Sequence, residues 1–342
     1  MSQQLLKGPA AEEAIRNYFL SIGYFVVRGC KFKYNQFDVT DIDLLIYGKS
    51  SAFSRERLNV DIKNKKTPQA LERIFWAKGL QSVLGLDGCI VATSDMRHDV
   101  REFGLKHQVQ VLDGKFLGRL TNSERSHLAR ISEEQFFSEI DRHSLGKLGG
   151  DWRGRYESSK SRMLDSLNFD GANAWLNDID YYMSEINNHS SSTTTWRMIY
   201  ASIAHLLICI DFILREHITA EHDQRKQLLD NGFRYGQAGK SFTLKVGKMA
   251  SALIGSVVSQ PGLSHTLERE LADQASDVKA DVLAEFFSKS QVFASLFESA
   301  KMFENYAYQE VVPTPSTLSG NIQAYIGVIA DFFERDRKKI LV

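Results

Sequence analysis

Two short runs, Val39 to Tyr47 and Leu58 to Asn64, limit the fold more tightly than any other stretch of the chain. Each is too short for a stable helix and is rich in β-branched residues, so each reads as a strand, with Gly48 to Arg57 as the connecting loop. Side chains on a strand alternate between its two faces. Ile42, Leu44 and Ile46 share one face of the first run, and Leu58, Val60 and Ile62 share one face of the second. The opposite faces carry Asp41 and Asp43, and Asn59, Asp61 and Lys63. Paired, the strands offer one apolar face to a core and set Asp43 beside Asp61 and Lys63. Converging carboxylates repel one another unless a cation lies between them, and hard divalent ions take one or two carboxylates plus water and phosphate oxygens. A lysine two residues along can orient an attacking water and stabilise charge on a phosphate. The competing account of the same residues is a hairpin with one solvated, charged face.

The flanking sequence extends this pair into a domain. Gly8-Pro9 precedes a helix over Ala10–Ser21 with Ile15, Phe19 and Ile22 as its apolar stripe, and Gly23 closes it. Glu12 and Glu13 fall in its first turn, where the helix dipole favours acids. Tyr24 to Phe32 is a strand by its β-branched and aromatic content. Thr67-Pro68 reads as an N-cap and first helical residue for a helix to Leu84, with Leu71, Ile74, Phe75 and Lys78 in its stripe. Gly88 to Thr93 is an apolar run suited to a buried central strand. Arg97–His107 is a helix, and Val109–Leu112 a last strand closed by Asp113-Gly114. The order α-β-β-β-α-β-α-β predicts an α/β domain, a mixed sheet flanked by helices.

On these elements the chain resembles the PD-(D/E)XK, or restriction-endonuclease-like, nuclease superfamily over about residues 7 to 115. KGPAAEEAIRNYFLSIGYFVV looks like the opening helix, DIDLLIYG like the second motif and NVDIKNKK like the third. The resemblance implies a metal held by Asp43, Asp61 and the backbone carbonyl of Ile62, with Glu12 completing the shell directly or through water. Glu13 is the rival for that last role; the spacing from Gly8 and to Ile15 favours Glu12. Lys63 is the implied water-positioning residue. Gln81, on the helix after the third motif, is a weaker catalytic candidate, and its ordinary reading is a surface glutamine. Lys31, Lys33, Lys65 and Lys66 flank the centre and are candidate phosphate contacts; a solvated charged rim is the other reading. Ile42 stands where the family often has Pro, and Asp61 where it often has Glu. The resemblance implies Mg²⁺- or Mn²⁺-dependent hydrolysis of double-stranded DNA, and cutting both strands makes a homodimer natural.

From about Thr121 the pattern turns all-helical, which predicts domains at 1–120 and 121–342 with a hinge at 145–151. Helices are predicted over 123–144, 157–168, 171–188, 194–217, 221–231, 241–258, 264–289, 291–309 and 316–339. This half has no internal repeat and no nameable chemistry, and its expected roles are dimerisation, target recognition or binding of a protein partner. Arg234 to Ser241 ends like a phosphate-binding loop but lacks the first glycine and a preceding strand. His205 reads as a core histidine, and Asp178 and Asp180 as a solvated helix edge. Met198 to Leu214 reads as a buried core helix rather than a membrane span, since His205 and Asp211 interrupt it.

Charge and cysteine content bound the class. Residues 1–120 carry 18 Lys and Arg against 13 Asp and Glu, and the rest carries 24 against 29, so a mildly basic half adjoins an acidic one. Three widely spaced cysteines argue against a disulfide framework or zinc site and suit a reducing, cytoplasmic compartment, and no signal peptide opens the chain. Nucleases joined to an all-helical module resemble effectors of bacterial restriction and anti-phage systems. Two rival functions stand beside DNA cleavage: a non-cleaving binding or scaffold module, and an RNA-directed nuclease.

Overall fold

The computed structural model describes residues 7–35, 37–65, 67, 69–121, 129–144, 150–186, 193–257 and 263–341. They form two compact units, the first comprising the chain up to Ser166 with Ala300–Val312, the second Leu167–Ser299 with Pro313–Val342. The first unit therefore includes helical segments beyond the change of pattern at residue 120. Most of the 145–151 hinge segment, and Lys66 and Pro68, lie outside the described residues.

The first unit runs α1 (Lys7–Ser21), β1 (Phe25–Tyr34), β2 (Phe37–Gly48), β3 (Glu56–Lys63), α2 (Ala70–Val83), β4 (Gly88–Thr93), α3 (His98–Lys106), β5 (Val109–Leu112), α4 (Gly114–Thr121), α5 (Glu133–His143) and α6 (Trp152–Asp165). The five strands lie side by side in sequence order. β1, β2 and β3 are antiparallel neighbours, whereas β3, β4 and β5 run parallel through the α2 and α3 crossovers. The result is a five-stranded mixed sheet flanked by helices.

Alternation along the strands divides the core in two. Leu44, Ile46, Val60 and Ile62 face α1 and α4, packing with Ile15, Phe19, Leu117 and Leu120. Cys89, Val91 and Val109 on the other face meet Ala70, Ile74 and Ala77 of α2. The second face is therefore not the solvated one of a bare hairpin: α2 covers it, and Asn59 and Asp61 are buried. The stripe of α2 also differs from the sequence expectation. Leu71 and Phe75 are exposed, and small residues face the sheet, because alanines let the helix approach closely. α2 starts after a left-handed Gln69 rather than at Thr67. α1 begins three residues early, which moves Glu12 and Glu13 out of its first turn, and Ile22 is exposed rather than part of its stripe. Helix α4 follows β5 where Asp113-Gly114 predicts only a turn.

The second unit contains α7 (Phe169–Glu185), α8 (Thr193–Leu214), α9 (His222–Tyr235), α10 (Gly239–Val257), α11 (Leu263–Asp277), α12 (Ala280–Ser288), α13 (Ser290–Tyr308, whose last turns belong to the first unit), α14 (Gly320–Phe332) and α15 (Arg337–Ile340). The region expected as one helix over 264–289 is two, α11 and α12. α8 is its axis. α8 with the turn that follows it, Thr193–His217, is long and apolar enough to cross a membrane, yet an apolar 18-residue stretch of it is 89% buried inside the protein. His205 and Asp211 are buried with it. Asp178 is buried too, contrary to a solvated helix edge, and Asp180 accepts a 2.5 Å hydrogen bond from Arg335 Nε.

Candidate functional site

The β2–β3 register places the two aspartates together. Leu44 pairs with Val60, so Asp43 and Asp61 occupy the next position of their strands. Asp43 Oδ2 accepts a 2.6 Å hydrogen bond from the Ile62 amide. Burial raises the Asp43 carboxyl above its usual range despite that bond and the nearby charges of Arg73, Lys63 and Arg28. Lys63, half-buried at the end of β3, contributes to that field. The chain beyond it is tied to the end of β4: Ser94 N donates to the Lys63 carbonyl at 3.3 Å, and Ser94 Oγ to the Lys65 carbonyl at 2.5 Å.

Glu12 and Glu13, one residue apart on α1, separate. Glu13 is buried and accepts from Arg28 at 3.0 Å and Arg16 at 3.4 Å. Glu12 is less buried and accepts from Arg28 at 2.8 Å. Burial raises its carboxyl, Arg28 opposes that rise, and the charge of Asp43 adds to it. The charge of Asp43 thus reaches Glu12.

Behind Glu12 lies an ionic network within the first unit. Arg16 reaches Glu133 at 3.3 Å and Glu304 at 2.9 Å, Arg28 reaches Glu134 at 2.7 Å, Arg130 reaches Glu304 at 2.5 Å, and Lys160 reaches Glu133 at 2.6 Å. Tyr308 donates to Glu133 at 2.5 Å. Glu133 would be raised by burial, but Lys160, Arg16 and these hydrogen bonds hold it at about 2. The network ties α1 and β1 to α5, α6 and the end of α13, and so fixes the α1 backbone that carries Glu12. A charged residue inside the apolar run FVVRGC was the sequence signal for Arg28, because buried charges need partners.

Arg73 is the neighbour the sequence did not reveal. It lies on the first turn of α2, over the buried face of the sheet, and donates to both oxygens of Asp61, at 2.6 Å from Nε. Desolvation lowers its guanidinium from the usual range, and the charge of Asp43 partly offsets that.

Other expected residues stand elsewhere or are engaged. Gln81 is at the far end of α2, where Cys89 Sγ donates to it at 3.4 Å and its own amide donates to the Asp87 carbonyl at 3.3 Å. It is therefore not beside the aspartates. Lys31 pairs with Glu157 at 2.8 Å and Lys33 with Asp38 at 3.4 Å. Lys65 is exposed, and Lys66 is among the residues not described.

No family model, curated protein or solved structure matches this chain.

The donor set bears directly on whether a cation fits. The carboxylates and the Ile62 carbonyl are hard oxygen donors suited to Mg²⁺ or Mn²⁺. Asp43 has one oxygen beyond its bond to Ile62, and Glu12 one beyond its bond to Arg28. Asp61 has neither oxygen uncommitted, so it can join only if Arg73 withdraws. Among the described residues, the group of three metal-ligating side chains with ligand atoms within 4.8 Å of one another is His98, Asp99 and Glu102, all exposed on the first turns of α3. That group could hold a metal; Glu12, Asp43 and Asp61 are not gathered so closely.

Proposed function

We propose that this chain is a divalent-metal-dependent nuclease that hydrolyses phosphodiester bonds of DNA. The observation that carries the reading is the placement of Asp43 and Asp61 on adjacent strands with Lys63 beside them and Glu12 coupled to Asp43. Raised carboxyls packed near one another favour a cation, and perturbed acids of this kind cluster at functional sites.

Asp43, Glu12 and the Ile62 carbonyl would hold Mg²⁺ or Mn²⁺, with Asp61 joining on release from Arg73. The bound cation supplies charge neutralisation at the phosphate and a more acidic water. Lys63 orients the oxygen that attacks phosphorus and offsets charge on the phosphate. The Asp43 bond to Ile62 N fixes the main chain on which Lys63 stands, and the Arg28 network fixes Glu12. Double-stranded DNA as substrate, a homodimer and a role in bacterial restriction or anti-phage defence belong to the same proposal and rest on resemblance.

A second reading has its own observation. The Arg73–Asp61 pair leaves one expected ligand neutralised, as suits a binding or scaffold module that does not cleave. Hydrolysis of end-labelled duplex DNA and of RNA, with Mg²⁺ or with EDTA, separates the readings. The nuclease reading expects Mg²⁺-dependent cleavage of DNA that Asp43→Asn abolishes. Cleavage surviving that substitution overturns it, and preferential cutting of RNA replaces the substrate.

A further inference from the structure

Arg73 closes the aspartate pair from the side of α2. Its Nε and a terminal nitrogen engage both oxygens of Asp61. The Asp61 side chain is 7% exposed and that of Arg73 25%, so solvent meets the pair at the guanidinium rather than at the carboxylate. Among the described residues, the Arg73 side chain makes no other hydrogen bond, and Lys63 forms no ion pair. Trp76, one turn further along α2 and exposed, has its ring centroid 5.9 Å from Arg73 Cζ. An aromatic face at this distance attracts a guanidinium, so Arg73 has a second resting place outside its grip on Asp61.

Charge decides what moves Arg73. Asp43 and Asp61 carry two formal negative charges, and Arg73 and Lys63, both of which act on Asp43, carry two positive ones. With Arg73 on Asp61 these four groups balance. A divalent cation added alone leaves two positive charges in excess and finds Asp61 already taken. An oxyanion supplies negative charge, and a guanidinium grips phosphate oxygens with the same two-pronged geometry that it uses on a carboxylate. The anion therefore competes with Asp61 for Arg73, and the Asp61 oxygens that it releases are hard donors for Mg²⁺ or Mn²⁺.

We infer that Arg73 is a phosphate-operated latch: a phosphodiester oxygen of the substrate draws its guanidinium away from Asp61, and only then does Asp61 join the metal site. The inference rests on the nuclease reading for the identity of the anion and adds its regulation, since the metal and the substrate phosphate then bind cooperatively. By linkage each tightens the other by the same factor. The test is calorimetric titration of the full chain with Mn²⁺, in sodium sulfate and in sodium chloride of equal ionic strength, sulfate standing for the phosphodiester anion. Wild type is expected to bind Mn²⁺ at least about fivefold tighter in sulfate. Arg73→Ala leaves Asp61 unlatched throughout, so it is expected to bind Mn²⁺ tightly in chloride, and sulfate is expected to change its affinity by less than about twofold. The wild-type comparison needs no substitution and holds whether or not the variant folds. Mn²⁺ binding by wild type that sulfate leaves unchanged or weakens overturns the latch, as does a sulfate effect in Arg73→Ala as large as that in wild type. Neither readout uses cleavage. Metal-dependent cutting of DNA without this coupling keeps the nuclease and removes the latch, whereas coupling without cutting removes the nuclease and keeps Arg73 as an anion-operated gate on a metal site.

Discussion

Arg73 holds Asp61 by a two-pronged ion pair, with Nε donating to Oδ2 at 2.6 Å and a terminal nitrogen donating to the other oxygen. The carboxylate that resemblance assigns to a metal is thus held by a protein cation on the helix covering that face of the sheet. A divalent ion must compete with Arg73 for Asp61. Arg73→Ala is therefore expected to tighten Mn²⁺ binding by about tenfold, or about 1.4 kcal/mol. In EDTA the same substitution is expected to destabilise the protein by about 1–3 kcal/mol, because Asp61 stays buried without its partner. Calorimetric titration with Mn²⁺ and urea unfolding measure the two effects, and unchanged Mn²⁺ affinity contradicts the competition.

Asp43 gives a pH dependence of definite sign. Its carboxyl is raised in the fold, chiefly by burial. The folded state therefore binds the proton more tightly than the unfolded chain, whose aspartates titrate at about 3.9. The associated stability is fully present below that value and is lost as pH rises through the raised folded value. Asn keeps an acceptor for Ile62 N but removes the buried charge. Asp43→Asn is expected to melt at or above the wild-type temperature in EDTA near pH 8 and to lose that advantage below about pH 4. A variant less stable than wild type near pH 8 contradicts this account.

Glu133 has the opposite sign. Lys160, Arg16 and Tyr308 hold it at about 2 against the effect of burial. Its stabilising contribution is present above the unfolded glutamate value of about 4.3 and is lost as pH falls towards about 2. Glu133→Gln leaves Lys160 and Arg16 short of a counter-charge inside the unit, so a loss of about 3–5 kcal/mol is expected near neutral pH. The gap from wild type narrows as the pH approaches the folded value. Urea midpoints at several pH values measure it, and a constant gap contradicts the linkage.

The sheet was legible because period-two alternation is a strong local signal. It assigned Leu44, Ile46, Val60 and Ile62 to one core and brought Asp43 to Asp61. What covers the other face was not legible, because the phase of α2 depends on Ala70 and Ala77, which contribute little to an apolar pattern. The same phase error hid Arg73. The ionic network was also beyond sequence, since Glu133, Lys160 and Glu304 are distant in the chain and only folding joins them to Arg16.

Gln81 illustrates the difference between a helical face and a position along the helix. It follows Ala77 by one turn on the sheet-facing side, yet lies eight residues beyond Arg73, about 12 Å further along the axis. Gln81→Ala is expected to change DNA cleavage by less than about twofold, since it alters no contact to Asp43, Asp61 or Lys63. A loss comparable to that of Asp43→Asn in the same cleavage assay contradicts this placement.

The most direct test of the central claim is a plasmid-nicking assay with Mg²⁺, Mn²⁺ and EDTA, comparing wild type with Lys63→Ala. The account predicts cutting by wild type that requires the metal and a loss of at least about a hundredfold in the variant. Cutting that persists in EDTA, or equal cutting by folded wild type and variant, contradicts it.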